Sequence, residues 1–187
     1  MDSHLIAPTT NDLQSASINT PQFSLKGLSV TARVVDVHDG DTVTVVFVFN
    51  GKLCKFQIRL AGIDSCEMTS KNERAKALSI AARNRVIHLI TLGDSCTIPL
   101  TNRKCIHIAL AQKQYTVHLK CFDFDKWGRV LGNIYLCETS TKSISDTLLD
   151  EFLAYPYNGA TKMTEEEQVN YLTNRAHVRK ENTPHIL

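Results

Sequence analysis

The sequence predicts a small α+β fold, mainly a β barrel with helices: an OB-fold, five-stranded Greek-key barrel with three flanking helices. Three observations predict it. Apolar and polar residues alternate from Leu28 onward through three consecutive segments, the pattern of strands with one buried face. Asn50-Gly51 separates the second segment from the third, and this dipeptide is a strong signal for a type I′ hairpin turn. The element order then reads three strands, a helix, two or three strands, and two helices. A small antiparallel barrel with helices packed outside fits that order.

The elements follow in sequence. "MDSHLIAPTTNDLQSASINTPQFS" is rich in Ser, Thr, Asn and Gln and has no basic start or apolar h-region. It reads as a mobile tail over residues 1–25, not a secretory signal. "LSVTARVVDV", "DTVTVVFVFN" and "GKLCKFQIRLAGI" read as the first three strands. A two-residue loop at Asn50-Gly51 fixes their pairing: Phe49 faces Lys52, Phe47 faces Cys54, Val45 faces Phe56 and Val43 faces Ile58. The alternate pairs, Thr44 with Gln57 and Thr42 with Arg59, are polar, so one face points to a core and the other is mostly wet.

"TSKNERAKALSIAARNRVIHLI" carries Ala75, Leu78, Ala82, Val86 and Leu89 at helical spacing, with Thr69 or Ser70 as the expected cap. "DSCTIPL", "YTVHLKCFDF" and "RVLGNIYLC" read as further strands, and Thr101 to Lys113 as a loop or an added hairpin. "SISDTLLDEFLA" reads as a second helix. "TEEEQVNYLTNRAHVRKE" reads as a third, opened by a capping box of Thr164 and Glu167. The expected domain spans 26–182, with a frayed end at 183–187.

Composition bounds the function. At 187 residues, 43% hydrophobic and 21% charged, the chain suits one globular domain plus tails. A net charge of +2 permits a polyanionic partner if the positive charge is local. No apolar run is long enough to span a bilayer. Six cysteines are scattered singly, without CxxC or Cys/His clusters, which argues against structural zinc and for free thiols in a reducing compartment. An intracellular monomer is expected, in cytoplasm or virion.

The hairpin register brings Asp41 beside Arg59 and Leu60, with Asp64 and Glu67 soon after. "DG" within "VHDGDTVTV" is by itself a tight-turn dipeptide. Two carboxylates with a third close by nevertheless suit a hard cation such as calcium, which takes carboxylate, carbonyl and water oxygens. Arginines beside such a cation point to phosphate, which they grip bidentately. Metal, arginines and a spare carboxylate together describe phosphodiester hydrolysis.

Four pieces in order, "VVDVHDGDTV", "IRLAGIDSCE", "DKWGRVLGNIY" and "LLDEFLAYPYNG", carry a resemblance to the staphylococcal nuclease (thermonuclease) family from about Val30 to about Lys180. The resemblance implies Asp41 and Asp64 as calcium ligands, with the main-chain carbonyl of Ser65. It implies Glu67 as the carboxylate acting on the attacking water, and Arg59 and Arg129 as the arginines on the scissile phosphate. Lys126 and Trp127 fall where the family holds a terminal phosphate and sugar, and Tyr155 and Tyr157 where it places nucleotide contacts. Cys66 stands where the family usually has proline, so a looser loop before Glu67 is expected. Trp127 replaces a common tyrosine, and Ser65 a common Thr or Ala.

The implied activity is that of a calcium-dependent nuclease cutting DNA and RNA, single strands preferred, leaving 3′-phosphate ends. The competing reading is a non-catalytic nucleic-acid- or peptide-binding module of the same fold. Such modules typically lose the carboxylates and arginines that this chain retains.

Overall fold

The computed structural model describes residues 13–94, 100 and 102–181. Along these the chain forms β1 (Ser29–Val37), β2 (Thr42–Phe49), β3 (Lys52–Leu60), β4 (Ile63–Asp64), α1 (Glu73–Ile90), α2 (Arg103–Ala111), β5 (Val117–Phe124), β6 (Val130–Tyr135), α3 (Ile144–Asp150), β7 (Tyr155–Pro156) and α4 (Glu165–Glu181). Five strands close into a barrel in the order β1-β2-β3-β6-β5, while β4 and β7 make a separate two-stranded ladder. The β3–β6 contact is parallel and the other barrel pairings are antiparallel.

The β2–β3 register is the one the hairpin loop dictates, from Phe49↔Lys52 to Thr42↔Arg59. Asn50 and Gly51 both take positive φ, at 49° and 74°, as a type I′ turn requires. Val43, Val45, Phe47 and Ile58 fill the barrel interior, and the Phe47 and Phe56 rings stack at 4.8 Å. On the opposite face Thr44 is half-buried and Gln57 exposed. The barrel closes tightly at Gly132, where a Cβ would lie 3.0 Å from the Lys120 carbonyl oxygen and 3.3 Å from Ile58 Cγ2.

Three expectations change. The helix cap is Asn72, whose side chain accepts from the N–H groups of Arg74 and Ala75. Ser70 instead receives the Asn72 N–H on its hydroxyl, at 3.0 Å. The segment read as a loop or added hairpin forms α2, a fourth helix beside the three expected. Asn102 caps it by accepting from Cys105 N–H, and Ile106, Ala109 and Leu110 bury one stripe in the core. Thirdly, the Cys66 side chain is held by packing. It is 1% exposed and packs in a second apolar cluster with Ala75, Tyr155, Val169 and Leu172, where burial pushes its thiol up to about 11.

The Thr164–Glu167 capping box is present, each residue's side chain accepting from the other's backbone N–H. The expected strand over 94–100 lies outside the described residues except for Asp94 and Leu100, as do tail residues 1–12 and the end from 182 onward. Residues 13–24 are exposed throughout, yet Phe23 rests on Phe49 and Phe124, with ring centroids 5.8 and 6.0 Å apart. The described cysteines are free thiols. Among the described residues no helix is long and apolar enough to cross a membrane.

Candidate active site

The β1–β2 turn begins the site. Asp39 Oδ1 accepts the Asp41 N–H at 3.1 Å, an Asx-type turn. Gly40 is required here by crowding rather than by positive φ: a Cβ would lie 2.6 Å from Ala82 Cβ and 3.0 Å from Ser65 Cβ. Helix α1 and the Ser65 segment therefore clamp the turn, and the two aspartates are aimed by packing. Leu60 N–H donates to the Asp41 carbonyl at 2.7 Å, tying the turn to the end of β3.

From there a continuous polar network forms. The Asp41 carboxylate is buried; Oδ1 accepts from the Thr42 hydroxyl at 2.9 Å and lies 3.3 Å from Arg59 Nη1. Its Oδ2 accepts from both the N–H and hydroxyl of Ser65, at 2.9 and 3.0 Å. Arg59, on the face the register assigns to solvent, is only 6% exposed. Its Nη1 donates to the carbonyls of Leu60 and Ile63, and its Nη2 to Asp64 Oδ1 at 2.5 Å. Asp64 is fully buried and also accepts the Tyr155 hydroxyl, because β4 and β7 pair these two residues directly. Burial and Asp64 push the Tyr155 phenol far above its ordinary range, so it remains a donor.

A second arm comes from the β5–β6 turn. Asp125 accepts the N–H groups of Trp127 and Arg129 and holds Arg129 Nε at 2.7 Å. Arg129 Nη1 then reaches the Thr42 hydroxyl at 3.3 Å, joining the arms. The Arg129 guanidinium and the Lys126 ammonium stand 5.2 and 4.3 Å from the exposed Trp127 ring, within cation–π range.

A cleft of about 650 Å³ opens between the arms, lined among others by Arg59, Lys126, Trp127, Arg129, Tyr157 and Lys162. Five of these were expected from sequence, and Asp41 and Asp64 join Arg59 as buried partners. Tyr155 departs from expectation. Its ring is 1% exposed, so it offers no stacking face and instead fixes Asp64.

Sequence reasoning missed Lys162. Its ammonium lies 3.1 Å from both Asp64 Oδ1 and Glu67 Oε1. Nothing in "NGATKMT" signals that pairing, because the connector before α4 returns to the site from 95 residues away. Asp125 was also missed, although its place four residues before Arg129 was a usable signal.

Asp39 has a shifted carboxyl. Burial, then the neighbouring Asp41 carboxylate, raises its carboxyl to about 7. Partial burial works against the Lys162 charge, but Asp64 and Glu67 outweigh it and hold the ammonium above the ordinary lysine range.

Fold and site together define an OB-like barrel whose β2–β3 hairpin end carries a cationic cleft backed by buried carboxylates. The family model described as "Staphylococcal nuclease homologue" matches residues 57–183, more than half of the chain, and the chain belongs to that family. The match begins inside β3, so the Asp39–Asp41 turn precedes it and is brought to the matched region by the hairpin register. A search among curated proteins found no match.

Proposed function

We propose that this chain is a calcium-dependent phosphodiesterase, an endonuclease acting on DNA and RNA, with single-stranded or frayed substrate preferred and 3′-phosphate ends left. The observation that carries the reading is the convergence of Arg59 and Arg129 on one cleft. Arg59 comes from β3 and Arg129 from the β5–β6 turn, and the two are linked through Thr42 and Asp41. Arg59 is held by Asp64 and two main-chain carbonyls and Arg129 by Asp125, so both guanidinium groups reach the cleft pre-positioned.

The residues present suit a hard cation in chemistry. Asp41, Asp64 and the Ser65 carbonyl are oxygen donors, and Asp39 stands beside them in the same turn. Among the described residues no three His, Cys, Asp or Glu side chains form a metal-binding group, so main-chain oxygen and water would complete the set. Calcium held there would supply Lewis-acid polarisation of a phosphoryl oxygen.

The chain's own groups divide the remaining work. Arg59 and Arg129 present planar forks to the phosphate oxygens on which charge develops. Glu67, half-exposed beside the cluster, accepts a proton from the attacking water as the 5′ oxygen leaves. Lys126 and Trp127 hold a neighbouring phosphate and sugar, and Trp127 and Tyr157 offer ring faces to unpaired bases.

The test is digestion of end-labelled single- and double-stranded DNA and RNA with calcium, magnesium or chelator, followed by end-group analysis. Calcium-supported cleavage leaving 3′-phosphates is expected, with magnesium a poor substitute because it demands a tighter octahedron. Retained binding with no cleavage under any cation would favour the non-catalytic module.

A further inference from the structure

We propose that Lys162 is a tethered cation that competes with the divalent ion for the Asp64–Glu67 carboxylates and so sets the cation requirement of the site. The inference rests on the calcium reading above and adds to it a residue outside the motifs that carry the family resemblance.

The geometry is specific. One ammonium bridges Asp64, which is fully buried, and Glu67, whose side chain is 54% exposed, at 3.1 Å each. Lys162 is the second cation on Asp64, whose oxygens are both engaged. Arg59 takes the same oxygen, and Tyr155 takes the other one. Lys162 therefore stands on the carboxylate that a metal ligand role needs free, and on the one that must act on water.

The backbone around Lys162 is anchored on both sides. Tyr157 donates its hydroxyl to the Ala160 carbonyl at 2.7 Å, and Gln168 Nε2 donates to the Met163 carbonyl at 2.9 Å. The side chain, by contrast, is a flexible four-carbon stem, 43% exposed, lining the cleft. Displacement consequently needs side-chain rotation and no refolding. A tethered charge acts at high effective concentration, so a solution cation must outcompete it. A divalent ion gains twice the Coulomb energy of a monovalent one at equal distance. The device thus favours divalent cations over the monovalent salts of ordinary buffers.

The experiment is calorimetric titration of calcium into wild type, Lys162→Met and Lys162→Arg, with Asp41→Asn as the metal-site control and thermal melts in parallel. Methionine keeps the stem and removes the charge. Lys162→Met should bind calcium about one-and-a-half- to fivefold more tightly, the range that removing a partly exposed ion pair implies. Its melting temperature should fall in chelator and rise more than wild type's on adding calcium. Lys162→Arg should stay near wild type. Equal calcium affinity in wild type and Lys162→Met overturns the proposal while leaving the metal site standing. Calcium binding by none of the chains, Asp41→Asn included, overturns the metal reading and this inference with it.

Discussion

At the scale of single residues, the two arginines are held differently. Arg59 is buried and spends donors on the Leu60 and Ile63 carbonyls and on Asp64, whereas Arg129 is fixed by Asp125 and projects toward the cleft. Lysine retains charge but cannot reproduce either fork. Arg59→Lys and Arg129→Lys should each cost about 3–4 kcal/mol of transition-state stabilisation, roughly a hundred- to a thousandfold in kcat. Near-normal turnover in either variant would reduce that arginine to a steering role. Tyr155 makes a sharper case because two roles predict opposite results. As a stacking residue it would tolerate phenylalanine. As the hydroxyl donor to buried Asp64 it would not, since the carboxylate oxygen is left without its donor. Tyr155→Phe should therefore lower kcat by about ten- to a hundredfold, from about 1.5–3 kcal/mol for a hydrogen bond to a charged group. KM for single-stranded DNA should be unchanged; a normal kcat together with a normal KM would restore the stacking role.

At the scale of elements, the site depends on how closely α1 approaches the β1–β2 turn. Ala82 on the helix and Gly40 on the turn leave no room for one more carbon, as the 2.6 Å separation to a built Cβ shows. Gly40→Ala should push the turn off the helix, cost about 1–3 kcal/mol of stability, and displace Asp41 from Ser65. Denaturant unfolding measures the loss. Adding Ala82→Gly should recover part of it despite the intrinsic cost of about 1 kcal/mol for glycine inside a helix. The double variant should thus be more stable than the two single losses add up to. Strict additivity would mean that Gly40 is there for some reason other than this contact. Helix α2 was not legible as a helix because β-branched Ile106 and Ile108 sit in a short stretch without clear alternation. Its packing onto the barrel, through Ile106, Ala109 and Leu110, decided the matter.

At the scale of the whole molecule, a cluster of buried carboxylates makes stability depend on pH. Asp39 has its carboxyl raised from 3.8 to about 7 in the folded protein, by burial first and Asp41 second. The folded state therefore holds a proton that the unfolded chain has released across that window, and stability falls as pH rises through it. Asparagine keeps the Asx turn and cannot ionise. In chelator, Asp39→Asn should melt with wild type near pH 4 and gain on it steadily up to about pH 7. Parallel melting curves across this range would show that Asp39 ionises as it would in water.

The sequence by itself determined the barrel class, the β2–β3 register and the meeting of Asp41, Arg59 and Asp64. These rest on local chemistry: a two-residue turn fixes pairing, and the pleat's period of two then assigns every side chain to a face. The family resemblance also implied Lys126, Trp127, Arg129 and Tyr157 as substrate contacts, and the structure lines one cleft with them. The tertiary structure alone decided that Tyr155 faces inward to Asp64, that Cys66 packs in the second apolar cluster, that Gly40 answers to Ala82, and that Lys162 bridges Asp64 and Glu67. Tyr155 is 91 residues from Asp64 and Lys162 is 95 from Glu67. Contacts at such separations arise when packed elements bring distant segments together, and no turn, period or cap within either segment encodes them.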